Sequence, residues 1–183
     1  GGAGFIGSNI VDKLIGDGHE VVIIDNMVSG KKDNINPKAG FIEADLVGCR
    51  PETSRRVFTD VVEEAMSGVD TIFHLAALAR VQPSIEKPHL FNDANVSGTL
   101  NLLWLAHKAG VRRVVYSASS SAYGEAKILP TPETALIDPV SPYGLQKLVG
   151  EQYCRMFSLV YGLETVSLRY FNVFGERQAT EGA

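Results

Sequence analysis

The chain has 183 residues, of which 45% are hydrophobic, and its formal net charge is −4. This length and apolar content are sufficient for one globular domain with a proper core. The mixed charge argues against a general nucleic-acid or membrane-surface binder, and the sequence contains no apolar run suitable for a membrane span. Cys49 and Cys154 lie far apart without a CxxC spacing, which favours reduced thiols in a cytoplasmic protein.

Short strand-like segments alternate with helical segments along the chain. The first predicted strand, Glu20–Asp25, is a β-branched run typical of a buried parallel strand. Further strands are predicted at Phe41–Leu46, Asp70–Ala76, Arg112–Ser119 and Glu164–Phe171. Helices are predicted at Ile6–Ile15, Ser54–Met66, Asn95–Ala109 and Pro142–Tyr161. This alternation predicts a doubly wound α/β fold, in which helices cover both faces of a parallel sheet.

The first residues, GGAGFIGS, contain two overlapping glycine patterns. Gly1, Gly4 and Gly7 form GxxGxxG, whereas Gly2, Gly4 and Gly7 form GxGxxG. Such glycines permit a tight turn close to a pyrophosphate, and the following helix directs its positive N-terminus at the phosphates. Asp25 ends the next predicted strand, where a carboxylate accepts hydrogen bonds from the adenosine ribose and repels a 2′-phosphate. The combination favours NAD over NADP, and a purely structural glycine turn is the alternative.

In a doubly wound fold, the strand that precedes such a glycine turn lies in the centre of the sheet. We therefore expect that this sequence is part of a longer protein, in which a β-strand stands immediately before Gly1. A polar, turn-like sequence at that place would contradict the expectation.

The segment SPYGLQK contains a second candidate site. Ser141 and Pro142 are typical of an N-cap and a first helical residue, so Tyr143 and Lys147 lie on one face of a helix, one turn apart. A lysine ammonium and a cationic nicotinamide lower the pKa of a nearby tyrosine from about 10, which favours the phenolate and makes it a general base. A serine of YSASSSAYG, at the end of a predicted strand, can share the proton and orient a substrate.

With these motifs in this order, the chain resembles the extended short-chain dehydrogenase/reductase family, and within it the nucleotide-sugar 4-epimerases. The matching segments are GGAGFIGS, VVIIDN, FIEADL, FHLAA, NVSGTLNLL, SASSSAYG, SPYGLQK and RYFNVFGERQ. The resemblance implies a Rossmann-type fold with an NAD-binding domain at residues 1–170. Residues 171–183 would begin a smaller substrate-binding part.

The resemblance also implies roles for individual residues. Ser119, Tyr143 and Lys147 would be catalytic. Ser119, Ser120, Tyr143 and Asn172 would bind the substrate, a UDP-sugar, and no metal site is expected. Tyr143 and Lys147 would also contact NAD, together with the following residues: Gly1, Gly4, Phe5, Ile6, Gly7, Asp25, Asn26, Asp45, Leu46, Ala76, Ala77 and Asn95.

The reaction implied is inversion at C4 of a UDP-sugar, either UDP-glucose or UDP-N-acetylglucosamine. Tyr143 would take the proton of the C4 hydroxyl while a hydride passes to tightly bound NAD, and the hydride would then return to the opposite face of a 4-keto intermediate. The segments LNLLWLAHKAG and LVGEQYCRMFSLVYG are apolar around much of their circumference, and the corresponding helices of the family pair across a dimer axis. We therefore expect a homodimer.

Other functions remain open at this stage. An NAD-dependent reductase or dehydrogenase that releases its product would use the same serine, tyrosine and lysine. A dehydratase is disfavoured because related 4,6-dehydratases carry a Thr-Asp-Glu run where this chain has Ser119, Ser120 and Ser121. A non-catalytic NAD-binding protein is disfavoured because both Tyr143 and Lys147 are present.

Overall fold

The helices and strands follow the predicted alternation. The structure, a computed structural model, describes residues 1–49 and 57–179. The strands are β1 (Val22–Asp25), β2 (Gly40–Glu43), β3 (Thr71–His74), β4 (Arg113–Ser119) and β5 (Glu164–Tyr170). The α-helices are α1 (Phe5–Gly16), α2 (Val57–Met66), α3 (Val81–Glu86), α4 (Pro88–Asn92), α5 (Gly98–Lys108) and α6 (Pro142–Tyr161).

The paired strands in the described ranges are all parallel. β1 pairs with β2, and β4 lies between β3 and β5. Gly1 lies between these two groups of strands, because its nitrogen donates to the Ile24 carbonyl oxygen at 2.5 Å and a Cβ on it would lie 2.5 Å from the Ala76 nitrogen. The carboxyl ends of β1 and β3 therefore flank the glycine turn, and the strand expected before Gly1 remains a prediction.

The main core lies between the β3–β5 sheet and helices α2, α5 and α6. Val114 and Tyr116 of β4 point into this core, where they belong to one buried cluster with Leu103 of α5. Ile24 of β1 packs against the same cluster, whereas its neighbour Ile23 is buried on the opposite face, as the alternation along a strand requires. The predicted parallel α/β architecture is confirmed.

Local sequence signals account for the ends of α6. The Ser141 hydroxyl accepts a hydrogen bond from the Gly144 nitrogen at 3.1 Å, and Pro142 occupies the first turn. Gly162 ends the helix in the left-handed conformation, with φ of 72°, which glycine adopts without steric strain. The predicted bounds of this helix are confirmed, so Tyr143 lies in its first turn.

Two predicted elements need correction, and a third is only partly covered by the described residues. β2 ends at Glu43 and does not continue to Leu46, because the Asp45 carboxylate accepts a hydrogen bond from the Val47 nitrogen at 2.9 Å and caps a short 3₁₀ turn. The helix predicted from Asn95 begins as a π-helical turn, and α5 itself starts at Gly98. The start of the helix predicted at Ser54–Met66 lies outside the described residues.

The sequence analysis missed α3 and α4. These helices have 6 and 5 residues, which is too short for a helical period to show in the sequence. In the described ranges, no helix combines the length and the apolar character that a bilayer span demands.

Candidate functional site

A cleft opens where β1, β2 and β3 end. Its lining contains many of the residues predicted to bind the cofactor: Gly1, Gly4, Asp25, Asn26, Asp45, Leu46, Ala76 and Ala77. These residues come from separate parts of the chain, and the parallel strands bring them to one edge of the fold. Ligands bind at this edge in open α/β sheets.

The glycines of the first turn have different structural roles. A Cβ on Gly1 would lie 2.6 Å from the Leu75 carbonyl carbon, and a Cβ on Gly7 would lie 2.2 Å from the Gly1 oxygen. Neither position accommodates a side chain. A Cβ on Gly4 would have no neighbour closer than 3.5 Å, so Gly4 instead keeps the cleft that it lines open. A Cβ on Gly2 would lie 2.8 Å from Ile23 Cγ2, so both glycine patterns fit the structure.

The N-terminus of α1 follows this turn directly. Gly4 is the N-cap residue, and no side chain caps the helix there. The nitrogens of Phe5, Ile6 and Gly7 consequently have no acceptor within the helix, as at any uncapped helix start. Because Gly4 lines the cleft, the partial positive charge of the helix lies beside the space that a pyrophosphate would occupy.

Asp25 joins the turn to the end of β1. Its side chain is 7% exposed, and its two oxygens accept hydrogen bonds from the Ala3 nitrogen at 3.0 Å and the Met27 nitrogen at 2.9 Å. A carboxylate can accept further bonds at both oxygens, and Asp25 lines the cleft. The residue therefore holds the turn in place and still offers acceptor sites for ribose hydroxyls.

A second acidic residue connects β1 with β2 at the far side of the cleft. The Asn26 amide donates to Asp45 at 3.1 Å, and the other Asp45 oxygen accepts the Val47 nitrogen. Leu46 follows as a buried apolar residue. These groups provide a polar rim and an apolar wall, which suits the adenine end of a dinucleotide.

Two of the three predicted catalytic residues, Ser119 and Tyr143, lie where β4 ends and α6 begins, and Lys147 follows one turn later on α6. Ser119 is the last residue of β4, and its hydroxyl oxygen accepts the Ser121 nitrogen at 3.1 Å. Tyr143 lies in the first turn of α6, close enough to Ser119 for that hydroxyl to lower the pKa of its phenol. A Cβ on Gly144 would lie 2.6 Å from the Ser121 carbonyl oxygen, so this glycine allows α6 to approach β4. Sequence analysis did not identify that role of Gly144.

Burial governs the pKa values of this group. Burial raises the pKa of Tyr143, and the hydrogen bond with Ser119 lowers it. Lys147 is 4% exposed, and burial lowers its pKa to about 8, so its ammonium persists at neutral pH. Ser119 is thus the group that lowers the Tyr143 pKa here, and the effect of Lys147 remains a prediction.

Asn95 is fully buried and links the cleft to α6. Its amide nitrogen donates to the Leu78 oxygen at 3.0 Å and to Gln146 at 3.1 Å, and its amide oxygen accepts the Leu78 nitrogen at 2.8 Å. Because protein groups use these sites, Asn95 holds the backbone beside Ala77, and direct contact with the cofactor remains a prediction.

Ser84 is a contributor that sequence analysis missed. Its hydroxyl accepts a hydrogen bond from the Tyr143 nitrogen at 3.1 Å and donates to the Val81 oxygen at 2.6 Å. It thereby caps α6 from α3, in addition to Ser141. No sequence signal could reveal it, because α3 is too short to predict and its partner is distant in the chain.

Two residues predicted to bind the substrate lie near the ends of β4 and β5. Ser120 is half-buried in the 3₁₀ turn that follows β4, and Asn172 is exposed beyond β5. Their roles toward a substrate remain predictions.

A glycine turn, an uncapped helix start and an acidic strand end in one cleft of a parallel sheet define a Rossmann-type dinucleotide-binding domain. Residues 1–183 match the model of the NAD dependent epimerase/dehydratase family, and the chain belongs to that family. NAD as the predicted cofactor class is confirmed by this membership.

Similar proteins include both epimerases and a dehydratase. A curated protein described as a putative UDP-glucose 4-epimerase, from Methanocaldococcus jannaschii, is 44% identical over 100% of this chain and 57% of its own length. The UDP-glucose 4-epimerase structure from Thermotoga maritima with UDP-glucose has a TM-score of 0.90 and 40% identity, over 100% of this chain and 57% of that one. The dTDP-glucose 4,6-dehydratase structure from Streptomyces venezuelae with NAD bound has a TM-score of 0.88 and 30% identity, over the same shares. The chain thus spans little more than half the length of these relatives.

A Gly7→Ala substitution should weaken NAD binding roughly tenfold or more, or about 1.4 kcal/mol, because the new methyl group displaces the Gly1 backbone. Gly16→Ala is the matched control, since a Cβ there meets nothing within 4 Å and alanine favours a helix by about 0.5–1 kcal/mol. Calorimetric titration of the cofactor-free full-length variants with NAD measures both effects. Equal affinities of the two variants would contradict the steric role of Gly7.

Proposed function

We propose that this chain is the NAD-binding part of a nucleotide-sugar 4-epimerase that acts on a UDP-sugar. The observation that carries the proposal is the placement of Ser119, at the end of β4, beside Tyr143 in the first turn of α6, one helical turn from the buried Lys147. The similarity to proteins described as UDP-glucose 4-epimerases supports the choice of substrate.

The residues of the cleft fit NAD. Gly1 and Gly7 leave no room for side chains beside the turn, and the uncapped start of α1 offers backbone donors for a pyrophosphate. Asp25 offers carboxylate oxygens for the adenosine ribose and disfavours a 2′-phosphate by charge repulsion. NAD in this position would supply hydride acceptance from the sugar carbon and hydride return to it.

The side chains of this chain supply the proton transfer and the orientation. Tyr143, as phenolate, would accept the proton of the C4 hydroxyl and later return it to the C4 oxygen. Ser119 would donate a hydrogen bond to the phenolate or to the same sugar oxygen, which keeps that oxygen within reach. Lys147 would hold a positive charge nearby and favour the phenolate. Inversion requires that the 4-keto sugar turns over, so that its opposite face would receive the returning hydride while its C4 oxygen stays within reach of Ser119 and Tyr143.

The turn that follows β4 favours an epimerase over a dehydratase. The 3₁₀ helix Ser120–Tyr123 contains no acidic residue, and Ser121 uses its nitrogen to bond Ser119. Elimination of water would require an additional acid and base beside the sugar, and this turn supplies neither. A dehydratase, reductase or dehydrogenase of the same family is the alternative function.

Full-length protein purified without added cofactor should interconvert UDP-glucose and UDP-galactose, or the N-acetylated pair, as followed by proton NMR of the anomeric signals. Tyr143→Phe should reduce the rate by about 10²- to 10⁴-fold, because it removes the general base. Release of a 4-keto or reduced sugar would instead assign a dehydratase or a reductase. Bound NAD with unchanged sugars would contradict the choice of substrate.

Ser119→Ala should move the pH profile of kcat to higher pH, because the mutation removes the hydrogen bond that lowers the Tyr143 pKa. Less phenolate then exists at neutral pH, so kcat should fall there about tenfold to a hundredfold and recover as the pH rises. Ser121→Ala keeps the backbone donor to Ser119 and serves as the control. An unshifted profile in Ser119→Ala would refute the role of this hydrogen bond.

We also propose that the protein forms a homodimer through the outer face of α6. A shallow groove there is lined by Val149, Gln152, Tyr153, Arg155, Met156 and Leu159. Met156 is 41% exposed and Leu159 is 73% exposed, which leaves a largely apolar surface in contact with water. A second copy of the same face would remove this surface from water through a two-fold contact.

Sedimentation equilibrium at micromolar concentration should show a dimer for the full-length protein and a monomer for Leu159→Glu, because a buried, unpaired carboxylate would oppose the contact. Leu136→Glu changes an exposed leucine of the 124–140 loop and should leave the dimer intact. A wild-type monomer would eliminate this interface.

A further inference from the structure

Tyr116 lies directly beneath the ammonium group of Lys147. The Lys147 Nζ is 4.8 Å from the centroid of the Tyr116 ring, and the two residues are 4% and 1% exposed. Among the described residues, no carboxylate lies within ion-pair distance of this ammonium. A buried cation without a carboxylate requires another source of stabilisation, and the negative face of an aromatic ring provides one.

The same tyrosine also contacts the backbone of Lys147. The Tyr116 hydroxyl donates to the Lys147 carbonyl oxygen at 3.4 Å. A Cβ on Gly150 would lie only 2.2 Å from that hydroxyl oxygen, so α6 can pass over Tyr116 only because residue 150 is glycine. One side chain of β4 therefore contacts both the head group and the main chain of the lysine.

His74 packs against Tyr116 and does not add a competing charge. The centroids of the two rings lie 5.6 Å apart. The Thr99 hydroxyl donates its proton to the Asn95 oxygen at 2.7 Å, so His74 Nε2 must donate to Thr99, at 2.9 Å. Burial and the nearby Lys147 charge lower the pKa of His74 to about 3, which keeps the imidazole neutral.

The other titratable groups described around Lys147 neither add a positive charge beside it nor neutralise its ammonium. Tyr143 and Cys154 lie on α6, and burial raises the pKa values of both, that of Cys154 to about 12. Glu151 of the same helix forms an ion pair with Arg169, in which Glu151 Oε1 lies 2.6 Å from Arg169 Nη2. Burial also raises the pKa of Tyr116, so its ring remains that of a neutral phenol.

We propose that Tyr116 is a positioning residue for the reaction: its ring supports the Lys147 ammonium, and its hydroxyl fixes the Lys147 main chain. This inference rests on the proposed function, in which Lys147 acts beside Tyr143. Tyr116 contacts neither substrate nor cofactor in that reaction and acts through the lysine alone.

The test compares two ring variants that both lack the hydroxyl, so that they differ mainly in the charge distribution of the ring face. Tyr116→Phe keeps an electron-rich face, and substitution of Tyr116 by 3,4,5-trifluorophenylalanine keeps the shape but removes most of the negative potential of the face. Both are introduced into the full-length protein with NAD bound. The pKa of Lys147 is measured by NMR on lysine labelled with ¹³C at Cε, and its signal is assigned from Lys147→Arg.

The fluorinated variant should lower the pKa of Lys147 by about 1 relative to Tyr116→Phe, because a desolvated cation–ring contact contributes about that much. Its kcat at neutral pH should fall about tenfold with KM unchanged. Phe157→Leu perturbs the same core away from Lys147 and should change neither quantity. Equal Lys147 pKa values and equal kcat in the two ring variants would overturn the proposal.

The pKa measurement separates this inference from the proposed function. If the pKa of Lys147 falls with fluorination but the wild-type protein converts no UDP-sugar, the epimerase assignment is wrong. The stabilising contact between the Tyr116 ring and the Lys147 ammonium is then still supported. If the wild-type protein is an epimerase and fluorination changes neither the pKa of Lys147 nor kcat, the positioning role of Tyr116 is wrong. The epimerase proposal is then still supported.

Discussion

The close approach of α6 to β4 is the constraint on which the group of predicted catalytic residues depends. Two helical glycines permit it, because a Cβ on Gly144 would collide with the Ser121 oxygen and a Cβ on Gly150 with the Tyr116 hydroxyl. Glycine inside a helix costs about 1 kcal/mol relative to alanine. The contact offsets this cost, because the helix and strand then share the buried core, and Tyr143 is brought to the end of β4.

Backbone groups and buried polar side chains connect the dinucleotide cleft to this catalytic group. The loop after β3 lines the cleft, and Asn95 fixes that loop by bonding the nitrogen and oxygen of Leu78. The third bond of the same amide reaches Gln146 of α6, next to Lys147. A shift of α6 would therefore disturb the cleft wall, so the proposed NAD site and the proposed proton-transfer group are mechanically coupled.

The electrostatic character of the site is set by Lys147, whose ammonium is buried with few anions nearby to compensate its charge. Lys147 remains cationic at neutral pH in an environment that contains a neutral imidazole and neutral phenols. Its charge acts over short distances without strong screening, because water is largely excluded. A carboxylate beside Lys147 would compensate that charge. The aromatic face of Tyr116 lies there instead and leaves the ammonium without an ion-pair partner among the described residues.

The sequence alone determined the features that depend on residues close to one another along the chain. Ser141, Pro142 and Gly162 set the ends of α6, and the glycine spacing together with Asp25 predicted the dinucleotide cleft. Only the tertiary structure decided which distant groups complete the site. Ser84 caps α6 from a helix too short to predict, and the Tyr116 ring of strand β4 lies against the Lys147 ammonium of α6. Such contacts join residues that are far apart in the chain, and local periodicity shows which face of an element is buried but not which distant residue it meets.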